Sequence, residues 1–250
     1  ALCRHSALPR WLISRMDAVV ATTEEAATFV PHVRAVVPHG VDTDNFTPAL
    51  DRRAAWKALG HGGEMGIASI GRIRPEKGTD LFVEAMLNLL PQLPGAKALV
   101  LGQATREHQG FLKRLQERIK AAGLSERILF PGEIPAAELP QTMRALSLVM
   151  QLPRYEGYGM VPLEAMASAV PFVGSEAGYY RAFSAQGSAG HIVPQQAPAE
   201  AAAAALALLC DPDQHQTMSR TAHDVALISF SVTREAQGIE AVYQELWAKG

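Results

Sequence analysis

The stretch GIASIGRIRPEKG, residues 66–78, decides the fold of this chain. Residues 66–70 are a short apolar run of the kind that makes a buried strand, and Gly71 closes it. Beyond the loop, Leu81, Phe82, Ala85, Met86, Leu89 and Leu90 recur at the 3.6-residue period, which predicts a helix over 79–90. A strand, a glycine-bounded loop and a helix in that order make half of a βαβ unit. The loop also carries chemistry. Gly71 permits close backbone approach, and Gly78 with Thr79 opens a helix whose unpaired N–H groups and dipole favour an anion. Arg72 and Lys77 share the loop and can converge on one phosphate, Arg72 as a fork of donors and Lys77 as a point charge. Taken alone, the loop fits a solvated basic turn as well.

Working outward, the same alternation continues. Strands are predicted at 98–101, 128–130, 148–152, 172–174 and 191–193. Helices are predicted at 106–122, 135–146, 160–168, 197–209, 212–226 and 232–248. Phe111, Leu112, Leu115, Ile119 and Ala122 form the stripe of the first of these helices. Ser231 is the expected N-cap of the last, with Ala236, Ile239, Val242 and Leu246 facing inward. Upstream, short strands at 18–21 and 35–37 flank a helix at 22–29. The turn His39-Gly40-Val41-Asp42 and the loop at 46–48 make residues 38–50 a linker. Continuous apolar strands alternating with helices imply an α/β fold, a Rossmann-like doubly wound parallel sheet with helices on both faces. Ligands of such sheets sit outside the carboxyl ends of the strands, which directs attention to loops 71–78, 102–106, 131–135 and 153–159.

The last of these loops opens the segment RYEGYGMVPLE, residues 154–164. Two glycines bracket a tight loop, and a helix begins near Met160. Glu156 lies just before that helix and Glu164 just over one turn inside it. A carboxylate near a helix N-terminus is expected to stay ionised, and an ionised carboxylate accepts two hydroxyl hydrogen bonds, as a vicinal diol offers. Backbone N–H groups from Gly157 to Met160 could add donors to phosphate or sugar. Alone, a pair of Glu residues at this spacing is weak evidence. Together, a cationic loop and a pair of acceptors at the end of one sheet match a nucleoside diphosphate sugar, charged in the middle and hydroxyl-rich at its ends.

Composition sets the outer bounds. Of 250 residues, 48% are hydrophobic and 19% charged, enough for a sizeable core. The net charge of −2 gives no global field for nucleic acid or anionic lipid, so an anionic ligand needs a local site. Cys3 and Cys210 are far apart and read as isolated thiols of a reducing compartment, and no metal-ligand spacing is present. The basic N-terminal segment, with Arg4, His5, Arg10 and Arg15 beside Trp11, Leu12 and Ile13, reads as a domain remnant, with peripheral membrane contact the alternative. His39 reads as a surface or capping residue, and Trp56 and Trp247 as packing residues. The chain starts at Ala1 without Met, as a piece of a longer protein would.

GRIRPEKG (71–78), ALVLG (98–102), RILFPGEIP (127–135) and RYEGYGMVPLEAMAS (154–168), with PHGVD (38–42) before them, resemble family-4 glycosyltransferases of the GT-B fold over nearly the whole chain. The resemblance implies the C-terminal, donor-binding domain of such an enzyme. Arg72 and Lys77 would bind the diphosphate and stabilise it as leaving group. Glu164 would hold the ribose hydroxyls, and Glu156 would contact the transferred sugar, with backbone of Gly157, Tyr158, Gly159, Met160 and Val161 nearby. Glu133 and Ile134 would receive the base. Arg72, Lys77 and Glu156 are then the catalytic set. The family is retaining and works without a metal or other cofactor. A hexose, mannose favoured, would pass from a nucleoside diphosphate sugar, GDP-mannose favoured, to a glycan or lipid-linked acceptor in bacterial surface polysaccharide or lipopolysaccharide synthesis. The location implied is cytoplasmic, at most peripheral at the inner membrane face. A non-catalytic nucleotide-sugar-binding module and a GT-B nucleotide-sugar epimerase are the alternatives.

On this resemblance, residues 1–37 are the tail of an N-terminal acceptor domain, 38–50 the linker, 51–230 the nucleotide-sugar-binding domain, and 231–250 a helix packing toward the acceptor domain. The rest of the acceptor domain would lie outside this chain. Two positions depart from the family's pattern, Ala169 where Gly is usual and Gly178-Tyr179-Tyr180-Arg181 where a Gly-Gly pair and an acid are usual. Both are expected to border the donor site.

Overall fold

The computed structural model describes residues 11–248. Its main elements in chain order are β1 (Val19–Ala21), α1 (Glu24–Thr28), β2 (Val33–Val36), α2 (Arg52–Ala58), β3 (Met65–Ile70) and α3 (Thr79–Leu89). There follow β4 (Ala96–Leu101), α4 (Gln109–Ala121), β5 (Ile128–Gly132), α5 (Leu139–Ala145), β6 (Leu148–Gln151) and α6 (Met160–Ala167). The chain continues through β7 (Phe172–Ser175), α7 (Tyr180–Phe183), β8 (Gly190–Val193), α8 (Pro198–Leu209), α9 (Pro212–Ser229) and α10 (Val232–Trp247). Two compact units result, a smaller one of residues up to Val41 plus those from Ile228 on, and a larger one of Asp42–Leu227. Cys3, Arg4, His5 and Arg10 lie outside the described residues. No described helix is long and apolar enough to cross a membrane.

In the smaller unit β1 and β2 pair in parallel, Val19 opposite Val33. Thr23 caps α1, its hydroxyl accepting from the Ala26 N–H at 3.0 Å. The expected cap of α10 is present, Ser231 accepting from the Arg234 N–H. His39 is engaged, its Nδ1 3.0 Å from a Glu235 carboxylate that also accepts from the Gly40 N–H at 2.8 Å. The inner stripe of α10 is narrower than its periodicity suggests. Val242 is buried and Ile239 and Leu246 are half-buried, but Ala236 is exposed and Trp247 is 75% exposed, so Trp247 is not a packing residue here.

The larger unit is a six-stranded sheet, every pairing parallel, in the order β5-β4-β3-β6-β7-β8. The chain builds outward from β3 through β4 and β5, returns to the other side of β3 and builds outward again through β6, β7 and β8. The point of reversal lies between β3 and β6, where loops leaving adjacent strands diverge and leave a crevice. The strands are predominantly apolar, as expected of a parallel sheet covered on both faces. The predicted face of α3 is buried: Leu81, Phe82, Ala85, Met86, Leu89 and Leu90 are all at or below 7% exposure and pack with Ile67, Ala98, Leu148 and Val173. Full burial of each large side chain contributes about 1.5–3 kcal/mol.

Several local expectations need correction. Residues 106–108 form a 3-10 turn before α4, and Ala122 is its exposed C-cap rather than part of the stripe. The helix expected from 135 starts only at Leu139, because Pro135 accepts turn hydrogen bonds from the Glu138 and Leu139 N–H groups and Pro140 takes an early helical position. Helix α2 was not expected, since Trp56 is its one buried residue. Asp51 caps it and Trp56 donates its indole N–H to the Gly62 carbonyl at 3.0 Å. The short α7 likewise was not foreseen.

Ala169 does not border the sheet's carboxyl ends. Helix α6 starts at the carboxyl end of β6 and ends before β7 begins, so Ala169 sits on the opposite edge, roughly 12 Å along the helix from its start. There the Val170 N–H bonds the Ala165 carbonyl at 2.8 Å and the Ala169 N–H bonds that of Met166 at 2.9 Å, a Schellman cap with Ala169 at its left-handed position, φ 54°. A Cβ in that conformation costs about 1 kcal/mol. Ala169→Gly is therefore expected to stabilise the fold by about 0.5–1 kcal/mol and raise the unfolding midpoint by roughly 1–4 °C. A lowered midpoint in a thermal melt would show that the cap is not strained.

Candidate functional site

The two loops at the switch point carry the two segments singled out in the sequence. After β3, Gly71 enters with φ 141° and open space where a side chain would lie. Its N–H bonds the Leu101 carbonyl at 2.9 Å, and the Ile73 N–H bonds that of Gln103 at 2.9 Å, which ties the loop to the end of β4. Ile73 is buried, whereas Arg72 beside it is exposed and makes no side-chain hydrogen bond or ion pair among the described residues. Pro75–Lys77 form a 3-10 turn that ends on Gly78, which is also the N-cap of α3. Gly78 has φ 67°, and a Cβ there would lie 1.8 Å from the Leu152 carbonyl oxygen. The residue must be glycine, because the loop after β3 rides directly on the end of β6.

That close approach brings Lys77 to Glu156. The Lys77 Nζ donates to Glu156 Oε2 at 2.7 Å, and the Gly157 N–H donates to Glu156 Oε1 at 3.0 Å. Both side chains of the pair are partly buried. Behind Glu156, Gly178 from the loop after β7 packs so closely that a Cβ would lie 2.6 Å from the Tyr158 carbonyl oxygen and 3.0 Å from Glu156 Cγ. The Tyr179 N–H bonds the same Tyr158 carbonyl at 2.9 Å, and the rings of Tyr158 and Tyr179 stack 5.4 Å apart. The Gly178–Arg181 segment thus supports the glycine-rich loop. Tyr180 is buried beneath Gly159, whose Cβ would meet its ring at 2.1 Å. Burial and then the charge of Glu156 push the Tyr180 hydroxyl well above its usual value.

Gly159 caps α6 with φ 97°, and Met160 and Val161 form its first turn, both half-buried. Glu164 is its fifth residue, half-buried, with no side-chain hydrogen bond or ion pair among the described residues. Burial pushes its carboxyl up to about 7. The expectation that a carboxylate near this helix start stays ionised therefore does not hold for Glu164. The helix dipole acts mainly within the first turn, and desolvation one turn further in outweighs it. Glu133 and Ile134 follow β5, the edge strand, Glu133 exposed and Ile134 half-buried. At about 4.8 Å per strand they stand roughly 10 Å along the edge from the end of β3.

Residues that the sequence did not flag hold the two loops together. Arg154 makes a two-pronged bridge to Asp80, at 2.8 and 2.7 Å, and also donates to the Pro75 carbonyl at 2.6 Å. Gln151 donates to the Ile70 carbonyl at 2.9 Å, and the buried Ser175 hydroxyl to that of Pro153 at 2.8 Å. Arg154 stands inside the quoted RYEGYG run, but its partner is 74 residues away and nothing local marks it.

A doubly wound parallel sheet with Lys77 and Glu156 in contact across its switch point, and an exposed Arg72 in the loop that bears Lys77, defines an α/β domain of the kind that takes its ligands at the carboxyl ends of the strands. The model of the family described as "Glycosyl transferases group 1" matches residues 52–225, and the chain belongs to that family of glycosyltransferases. It is 39% identical to the lipopolysaccharide core biosynthesis mannosyltransferase LpsB of Rhizobium meliloti, over 97% of this chain and 70% of that protein. It is 40% identical to the lipopolysaccharide core biosynthesis mannosyltransferase LpcC of Rhizobium leguminosarum bv. viciae, over 97% of this chain and 68% of that one. Among solved structures, the C-terminal domain of a glycosyl transferase group 1 family protein (LpcC) from Francisella tularensis superposes with a TM-score of 0.75 at 32% identity, covering 77% of this chain and 100% of that domain. HepE from Anabaena, solved with UDP-glucose, shares the fold, with a TM-score of 0.82 at 23% identity over 95% of this chain and 66% of its own. The fold is thus the Rossmann-like domain of GT-B glycosyltransferases.

Lys77 and Glu156 are in contact, so a diphosphate held by Lys77, as the sequence leads one to expect, would compete with the carboxylate for the cation. Glu156→Gln removes that competition while keeping an acceptor for the Gly157 N–H. Titration calorimetry with GDP and UDP is expected to show binding about two- to fivefold tighter in this variant, the range set by a partly screened ion pair. Unchanged or weaker binding would show that Glu156 does not compete for Lys77.

Proposed function

We propose that this chain is the donor-binding half of a retaining hexosyltransferase that takes mannose from a nucleoside diphosphate sugar, GDP-mannose favoured, and passes it to a glycan or lipid-linked acceptor of bacterial surface polysaccharide or lipopolysaccharide. The observation that carries this reading is the Lys77–Glu156 contact at the switch point, with Arg72 exposed in the loop that bears Lys77. A cation and a carboxylate in contact are what the junction between a pyrophosphate and a sugar needs on its two sides. Both curated relatives above are lipopolysaccharide core mannosyltransferases, which supports the sugar and the pathway.

In this reading Arg72 and Lys77 meet the diphosphate and stabilise the charge that develops on it as it leaves, a task for preplaced cations that needs no metal. Glu156 accepts hydroxyls of the transferred sugar, with the backbone of Gly157, Tyr158, Gly159, Met160 and Val161 beside it. Glu164 holds the ribose diol, and Glu133 and Ile134 flank the base. Both curated relatives extend beyond the matched region, which supports an acceptor-binding domain preceding this chain. Residues 1–37 would be its tail, 38–50 the linker, 51–230 the donor domain, and 231–250 a helix returning toward the acceptor domain. The enzyme would work at the cytoplasmic face of the inner membrane, on an acceptor presented there.

The direct test offers the full-length protein radiolabelled GDP-mannose, UDP-glucose and ADP-glucose with extracted lipopolysaccharide acceptor. Transfer from GDP-mannose is expected, reduced at least about a hundredfold by Lys77→Ala with the fold intact. Binding of all three without transfer, or full activity in the variant, would overturn the reading.

Glu164 supplies a pH test. An acceptor for two hydroxyls has to be ionised, yet its carboxyl stands at about 7 in the free protein. Binding then draws off the proton, and affinity is expected to rise about tenfold between pH 6 and 8 before levelling. The sign for folding is the reverse. Because the folded value is raised from 4.5, Glu164 is neutral in both states below that pH, weighs increasingly against stability up to about pH 7, and does so constantly above it. Glu164→Gln should flatten both profiles, and an unaltered affinity profile in that variant would remove Glu164 from the ribose site.

A further inference from the structure

Arg154 makes more connections across the switch point than any residue the catalytic reading uses. Its guanidinium straddles the turn that bears Lys77, with one anchor before it at the Pro75 carbonyl, 2.6 Å away, and one after it at the Asp80 carboxylate, 2.7 and 2.8 Å away. Its own backbone N–H bonds the Glu76 carbonyl at 2.9 Å. Three residues of the Lys77 turn and the first turn of α3 are thereby held by one side chain and its amide, and Glu156 follows Arg154 by two positions. The guanidinium is committed: both terminal nitrogens face protein acceptors, in contrast to the exposed Arg72. A planar fork can grip both oxygens of a carboxylate together with a neighbouring carbonyl, whereas an ammonium cannot hold that geometry.

We propose that Arg154, through Asp80, is a positioning residue for glycosyl transfer. It sets the separation and direction of Lys77 and Glu156, so that the cation meets the diphosphate while the carboxylate faces the sugar. The proposal rests on the reading of Lys77 given above. Lys77 is long and flexible, and the turn that carries it is a single 3-10 turn ending on a glycine. Without the bridge, Lys77 would have to be ordered at the moment of binding, and that entropy would be lost from affinity.

The test is calorimetry on the full chain with GDP and UDP against GMP and UMP. Arg154→Ala is expected to weaken diphosphate binding about tenfold, the scale of one well-placed charge-assisted contact, while monophosphate binding changes less than about twofold. Arg154→Lys should fail to restore the loss, and Asp80→Asn should reproduce most of it. In a Lys77→Ala background, Arg154→Ala should add little, because the residue acts through Lys77. Equal losses for mono- and diphosphates would mean a general structural role, and fully additive losses a direct phosphate contact; either overturns the proposal. If Arg154→Ala does not fold, Arg154→Lys and Asp80→Asn, which each keep part of the bridge, decide the same comparison. The two readings fail separately: unchanged diphosphate affinity in Lys77→Ala alone sinks the assignment of the loop, whereas a loss there without one at Arg154 sinks only the positioning role.

Discussion

The structure depends on how closely two loops approach at the switch point. Gly78 lies against the Leu152 carbonyl with no room for a single carbon, and everything around that contact follows from it. The loop after β3 cannot stand away from the end of β6, so Lys77 lands on Glu156 and Arg154 reaches Asp80. The reversal of strand order opens the crevice. The glycine decides that its two walls touch at one end, and charged residues line the place where they touch.

Much of this was legible in the sequence. Continuous apolar runs at 66–70, 98–101 and 148–152, alternating with helical stripes, could only be buried on both faces, and that requirement selects a parallel sheet. The stripe of α3 was readable because Leu81, Phe82, Ala85, Met86 and Leu89 recur at the helical period, although burial extends beyond it to Val83. Helix α2 was not, since a lone Trp56 has no periodicity and its helicity comes from an Asp51 cap and packing on Gly66. Ala122 and Ala236 fell on predicted inner faces, and Trp247 was read as a packing residue, but they lie at helix ends or on a helix of which only a narrow strip is covered, and period alone does not report how wide the covering is.

The candidate site divides in the same way. Arg72, Lys77, Glu156 and Glu164 stand in loops or helix starts, so they could be picked out as candidates from residue type and local position alone. The Arg154–Asp80 bridge joins positions 74 apart, and only the fold brings them together. The protonation of Glu164 was misread for a related reason. A helix start favours a carboxylate charge, but how much water surrounds a residue in the second turn is set by its neighbours from other elements.

The Lys77–Glu156 pair has a consequence for selectivity. On the function proposed above, a bare inorganic anion would gain the exposed Arg72 but would have to break the pair to reach Lys77. A ligand that brings phosphate oxygens to the lysine and hydroxyl groups to the glutamate would compensate both members of the pair at once. Discrimination against small inorganic ions would then rest on that pairing, before the identity of any sugar is read.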